Sequence, residues 1–328
     1  MSTLTLKGPY WVTVRQYRRT LWLMGAAVVV ALAVIGGLRV WDAQYPDTSF
    51  ADGSWTTSDD NAAYSKLRAA LAELGTGMAF LPLLVGAFVA GPLIAREFES
   101  GTYKLSLTQS VSPAVWLRAK LLTAAAVATL GTLALMGVFR LGHGRVASSW
   151  NFHWADPGTY EATGIVLLAY VLAAVAVGAL VGQLIRRTLV AMAATGLLMG
   201  LVVLCLGAFR WSFLPVATVT GPHGPTLWTP DDGLMTESGL LTASGVRFDQ
   251  SICWNEVNRT PDLDTMADGG TQLFDRCLAR NGVTHQYVDY HPQSHFWPTQ
   301  LIETGIVLAL GALALYAAFR VLRARHAG

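Results

Sequence analysis

Charge is what this chain has least of. Asp, Glu, Lys and Arg make up 13% of 328 residues, against roughly 25% in soluble globular proteins, so there is too little charge to cover a water-exposed surface of that size. Lipid-facing surface excludes charge, because each ionised side chain costs about 2.5–3.5 kcal/mol at mid-bilayer. Cysteine is scarce too, with three in the whole chain, which rules out a disulfide-dense scaffold. There is no Lys/Arg run that could track phosphates, so no nucleic acid is expected as a partner. The G-x-x-x-x-G-K-[ST] loop is missing, as are H-E-x-x-H and G-x-S-x-G. The chain therefore offers no ATP-cradling loop and no familiar catalytic constellation of its own, and it is not expected to be an enzyme.

Apolar residues are what is present, at 53%. Crossing about 30 Å of hydrocarbon takes about 20 helical residues, and six runs qualify: Leu21–Val40, Gly75–Ala95, Leu117–Phe139, Gly164–Ile185, Leu189–Phe209 and Leu301–Val321. Backbone in lipid must satisfy its own hydrogen bonds, and no barrel-like alternation is seen, so each run reads as a helix. The expected fold is an all-α integral membrane protein with six transmembrane helices.

Basic residues set its direction. Lys7, Arg15, Arg18 and Arg19 precede the first run; Arg96, Lys104, Arg118 and Lys120 lie between the second and third; Arg186 and Arg187 follow the fourth; Arg320, Arg323 and Arg325 follow the sixth. All fall on one side, which the positive-inside rule makes cytoplasmic, together with both termini. Ala31-Leu32-Ala33 has the form of a leader-peptidase site, but the apolar run continues to Val40, too long for a leader core. Before it, Tyr10, Val14, Tyr17 and Leu21 recur at helical spacing away from Arg15, Arg18 and Arg19. Residues 1–20 thus read either as a helix lying in the headgroup plane or as an ordinary positive flank. Spans 1–5 with their connections occupy residues 21–209, and span 6 with its tail occupies 298–328.

Residues 210–297, between spans 5 and 6, are too many for a plain connection and are expected to form a folded extracellular cap. Gly221-Pro222-His223-Gly224-Pro225 is turn material, and the amphipathic stretch Thr271–Ala279 ends at Asn281-Gly282, a helix stop. Cys253 and Cys277, the two cysteines outside the apolar runs, both fall here; on the oxidising side of a membrane a disulfide is expected, with two unpaired thiols as the alternative. Cys205, in span 5, reads as a packing residue. His285, His291 and His295 lack cysteine or paired carboxylate support, and His291/His295 are separated by Pro292, so solvated loop histidines are expected and no metal.

The most informative stretch is cytoplasmic. Arg96-Glu97-Phe98-Glu99-Ser100-Gly101-Thr102-Tyr103-Lys104 is followed by Gln109-Ser110-Val111-Ser112-Pro113 and Trp116-Leu117-Arg118-Ala119-Lys120. Span 2 projects into the cytosol, stops at Gly101, turns, and restarts as a helix capped by Ser112 with Pro113 at its first position. This run resembles the signature of type-2 ABC exporter permeases, particularly their actinobacterial branch. A second patch, His295-Phe296-Trp297-Pro298 running to Ile302-Glu303-Thr304-Gly305, is similar to the stretch leading into the last span of that branch. Pro113 stands where relatives often carry a basic residue.

The resemblance implies a permease of an ATP-driven exporter in a bacterial cell membrane, moving a hydrophobic or amphipathic compound such as a drug, natural product, lipid or peptide. A nucleotide-binding ATPase subunit would be its partner, holding the ATP and Mg. The elbow 96–120 would be the coupling helix, through Arg96, Glu97, Glu99, Gly101, Thr102 and Tyr103. A second permease copy would complete the path, lined by spans 2 and 5, where Met78, Phe80, Phe88, Met192 and Met199 are the candidates. Glu303, in the second patch, is the candidate for gating or cap contact. The alternative is a membrane sensor or immunity protein that binds ligand through its cap and transports nothing.

Overall fold

The computed structural model describes residues 15, 18–44, 62–101, 112–147, 152–259 and 268–324. Six of its helices are long and apolar enough to cross a membrane: Thr20–Asp42, Leu81–Ser100, Pro113–Val146, Val166–Ile185, Thr188–Ser212 and Gln293–Ala324. The chain is therefore a multi-pass membrane protein. The interfacial helix expected over residues 1–20 falls almost wholly outside the described residues. Two compact units divide the chain: residues 1–210 with 297–328, and residues 211–296.

The first unit is helical. Span 1 is α1 (Arg18–Asp42), and α2 (Ala62–Ala79) leads into span 2, which consists of α3 (Leu81–Leu84), a π-helical turn (Val85–Ala90) and α4 (Gly91–Ser100). Span 3 is α5 (Pro113–Val146); the short α6 (Thr159–Thr163) precedes span 4, α7 (Val166–Ile185), and span 5 is α8 (Thr188–Phe209). Span 2 lies about six residues further along the chain than its hydropathy suggested. The reason is α2, whose Leu67, Leu71 and Met78 are buried against Ile35 of span 1 and Met136, Val138 and Phe139 of span 3. It is a helix packed on helices, and α5 extends to meet it over 34 residues, about 51 Å at 1.5 Å per residue and more than the hydrocarbon needs.

Span 4 is the axis of the bundle. Of its apolar window 61% is buried, against 6% for span 1 and 17% for span 5. Small residues make this possible: a Cβ on Gly178 would stand 2.4 Å from Ala90 Cβ, and one on Gly182 would stand 3.1 Å from Ala95 N, so span 4 meets span 2 backbone to backbone. On the other side of span 2, Gly196 and Gly200 of span 5 face Ala87 and Leu83. Span 2 is thus clasped between spans 4 and 5 at its π turn. Pro92 accounts for that turn: it has no N–H to give Phe88 and its ring crowds that carbonyl, and Gly91 N–H reaches back to Gly86 O.

The second unit corrects the expectation of an all-α chain. It holds a four-stranded antiparallel sheet in the order β1-β4-β2-β3, made of β1 (Ala217–Pro222), β2 (Leu234–Thr242), β3 (Arg247–Phe248) and β4 (Val283–His291). The β-branched and aromatic content of Val283-Thr284-His285-Gln286-Tyr287-Val288-Asp289-Tyr290 suits a pleated, half-buried surface. Two helices, α9 (Ser251–Arg259) and α10 (Asp268–Arg280), complete the unit. Cys253 and Cys277 join them in a disulfide, and both lie in a small core with Leu240, Leu278 and Val283. On the sheet, Asp289 accepts from Thr218 Oγ1 (2.6 Å) and Arg247 (2.6 Å). The Thr218 hydroxyl, with Arg247, holds that carboxyl below the usual carboxylate range. The chain closes with α11 (Phe296–Ala324), span 6.

Candidate coupling base and buried charge clasp

The ends of the connection between spans 2 and 3 are built as their residues dictate. α4 stops at Gly101 in the left-handed conformation (φ 70°), and α5 starts at Ser112, whose side chain accepts from Val115 N, with Pro113 following. Glu97 turns inward: its Oε1 lies 2.6 Å from Lys120 Nζ, with side-chain exposures of 13% and 5%. The pair is flanked by Trp116, which lies under Lys120 and edge-on to Phe98. Glu99 turns the other way, and its Oε2 accepts the N–H of Thr188 at 2.9 Å, a carboxylate on an orphan amide at the start of span 5. The base of the connection is thus tied to span 3 through Glu97 and to span 5 through Glu99. Arg96 stays exposed and, with Pro92, Glu99, Ser100, Thr188 and Met192, lines a cleft of about 500 Å³. Thr102 and Tyr103 lie outside the described residues.

At the other end of the bundle sits a second charged constellation. Arg210, the last residue of the first unit before the 211–296 insertion, presents its guanidinium fork to Glu303 of span 6 (Nε to Oε2 2.8 Å, NH2 to Oε1 2.9 Å). It also reaches Glu161 of α6 at 2.7 Å and stacks over the Tyr160 ring at 3.8 Å. Tyr170 and Tyr160 donate to the Glu303 carboxylate at 2.7 and 3.2 Å, and Gly158 N–H donates to Glu161 at 2.7 Å. Beside them Gln300 accepts from Ile165 and Val166 and donates to Tyr160 O. Glu303 is 0% exposed, Arg210 6% and Glu161 8%. Glu303 stands 17 residues from Arg320, about 26 Å along the helix, so the clasp lies at the opposite end of span 6 from its basic residues. There a bidentate, fully hydrogen-bonded arrangement is what allows one arginine and two carboxylates to be buried.

Residues 23–210, more than half of the chain, match the family described as ABC-2 membrane transporter related. The chain belongs to that family. Membership makes it a membrane subunit of the ABC-transporter permease kind, which works with an ATPase subunit. No functionally curated protein is significantly similar to it. The match ends at Arg210, so the sheet-bearing unit and span 6 lie outside it.

Within this ABC-2 permease the five path candidates do not share one surface. Met78 and Met199 are each 1% exposed, the first in the core with Ile35 and Leu71, the second against Gly86 of span 2. Both are packed inside the single chain. Phe80 and Phe88 face outward, 55% and 62% exposed; Met192 borders the cleft beside Arg96 and Glu99. Glu303, the candidate for gating or cap contact, is fully buried.

Two partners in the charged sites escaped the sequence reading. Arg210 was expected only as the first residue of the 210–297 cap, and no role was expected for Glu161, between spans 3 and 4. The available signal was Arg210 itself, a lone cation directly after 22 helical residues of span 5, together with Glu303 inside an apolar run. An ionised pair on successive spans is the expected way to bury either. Asp42 was missed likewise: it is 1% exposed and lies 2.8 Å from Arg145.

Proposed function

We propose that the chain is the permease half of an ATP-driven exporter, in which the Gly101–Ser112 connection docks on a separate ATPase and transmits its closure to spans 2, 3 and 5. The observation that carries this reading is the bracing at the base of that connection. With Glu97 on Lys120 and Glu99 on the first amide of span 5, a push on the connection displaces three spans together instead of bending one. A merely solvated helix end would show neither tie. The basic residues Arg96, Arg118, Lys120, Arg186, Arg187, Arg320 and Arg323 support a cytoplasmic placement of this end, which puts the 211–296 unit outside the cell.

A second copy would complete the path. Spans 1 and 5 leave most of their apolar surface uncovered within one chain, and Phe80, Leu84 and Phe88 form an exposed stripe on span 2. Apolar, aromatic walls of that kind suit a hydrophobic or amphipathic cargo. ATP and Mg would stay on the partner.

The test is the complex of the chain with its ATPase in nanodiscs. Glu99→Gln weakens the tie to span 5, and Gly101→Val forces a β-branched residue into the left-handed region. Each is expected to lower transport-coupled ATP hydrolysis at least several-fold while membrane insertion is unchanged. Unchanged coupling in both variants would sink the assignment.

A further inference from the structure

His291, the last residue of β4, is 1% exposed, and its Nδ1 lies 3.1 Å from Nδ1 of His295 in the short turn that follows. The ring centroids are 5.4 Å apart, which leaves both nitrogens close to the line between the rings. The two lone-pair axes therefore meet head-on, as in an N–H···N hydrogen bond, and do not converge on a common point as they would around a metal ion. Trp211, the first residue of the unit, packs on His291 with centroids 5.7 Å apart. The pair thus joins the two ends of the 211–296 unit: the strand that leaves it, the turn that follows, and the residue that enters it.

We infer that His291 and His295 form a proton-triggered latch at the neck of this unit, closed while the pair shares one Nδ1 proton and released when it takes up another. In the closed pair one Nδ1 donates and the other accepts. A further proton leaves two N–H groups facing each other with no acceptor, and puts a positive charge beside a buried ring. The Trp211 backbone offsets part of that charge, and no carboxylate does. Among the described residues neither imidazole forms an ion pair or hydrogen bond with a carboxylate. Across the ladder His291 faces Leu234. The charged groups one step along the same strand face, Asp289, Glu237 and Arg247, pair with one another and with Tyr287. Burial first, and the neighbouring His295 second, outweigh the backbone hydrogen bond to Trp211 and hold the His291 imidazole below its ordinary range.

The sign follows. A group that binds its proton more weakly in the closed form makes that form stable above about pH 6.5, the free imidazole value, and progressively weaker below it. Release of one latch per extra proton raises the open fraction about fivefold over the first pH unit below about 6.5, and nearer tenfold per unit below that.

Hydrogen exchange on the full chain in nanodiscs, corrected for the intrinsic pH dependence of exchange, reads this directly. Amide protection in peptides spanning 211–216 and 288–296 is expected to fall about fivefold between pH 6.5 and 5.5, while protection in span 4 stays constant. In His291→Gln, which lacks the buried imidazole, the neck peptides should lose that pH dependence. Neck protection that is constant with pH in the wild-type chain would overturn the latch, and so would a variant that keeps the wild-type pH response.

Discussion

At the scale of single residues, the two buried ion pairs make the same demand on a variant, that both charges be removed together. Removing one member of the Arg210–Glu303 pair leaves its partner uncompensated in a site excluded from water, at a cost of about 3–5 kcal/mol. Glu303→Leu alone is therefore expected to lower the unfolding midpoint strongly in detergent, and Arg210→Met to do the same. The Arg210→Met/Glu303→Leu double variant should recover part of the loss, a non-additivity read from the thermal midpoints of the four proteins. Glu97–Lys120 calls for the same cycle with a different readout. Glu97→Ala alone strands a buried lysine, so its loss of transport confounds stability with coupling. Glu97→Gln with Lys120→Met removes the charges together and isolates coupling, measured as ATP hydrolysed per complex. The sequence placed Glu97 and Glu99 at the elbow but could not say which way each points. Orientation there depends on Lys120 and Thr188, which are distant in sequence from both carboxylates and come close only when spans 2, 3 and 5 pack.

At the scale of elements, the helix ends were legible because their signals are local. Gly101 in the left-handed region, Ser112 before Pro113, and Gly282 (φ 66°) after α10 all follow from residues within one turn. What escaped was non-local. The sheet of the second unit pairs β1 with β4 across more than sixty residues, and its short strands are interrupted by charged and glycine positions. α2 escaped because its apolar stripe merges with the hydropathy of span 2. The π turn in span 2 gives a testable link from one residue to a whole element. Pro92→Ala restores the amide that Phe88 lacks, and closing the π turn to α geometry would rotate α4 by about 100°. Glu97 would then leave Lys120, and ATPase coupling is expected to fall while the amount of protein in the membrane holds. The second unit offers an independent check. Its disulfide closes a 24-residue separation, worth about 3.5 kcal/mol by chain entropy. Cys253→Ser/Cys277→Ser should speed proteolysis within residues 211–296 and leave the spans intact.

For the molecule as a whole, the architecture divides labour between its ends. The basic end carries the braced connection; the other carries the Arg210 clasp, which fastens α6, span 4, span 5 and span 6 where the second unit leaves and rejoins the bundle. The central claim is that the ATPase docks on the Gly101–Ser112 connection. A photo-crosslinking residue placed at Tyr103 tests it most directly, with the same residue at Trp228, exposed in the second unit, as control. Irradiation of the intact complex in native membranes is expected to give an adduct with the ATPase subunit from position 103 and none from position 228. An adduct from 228 and none from 103 would contradict both the docking and the orientation.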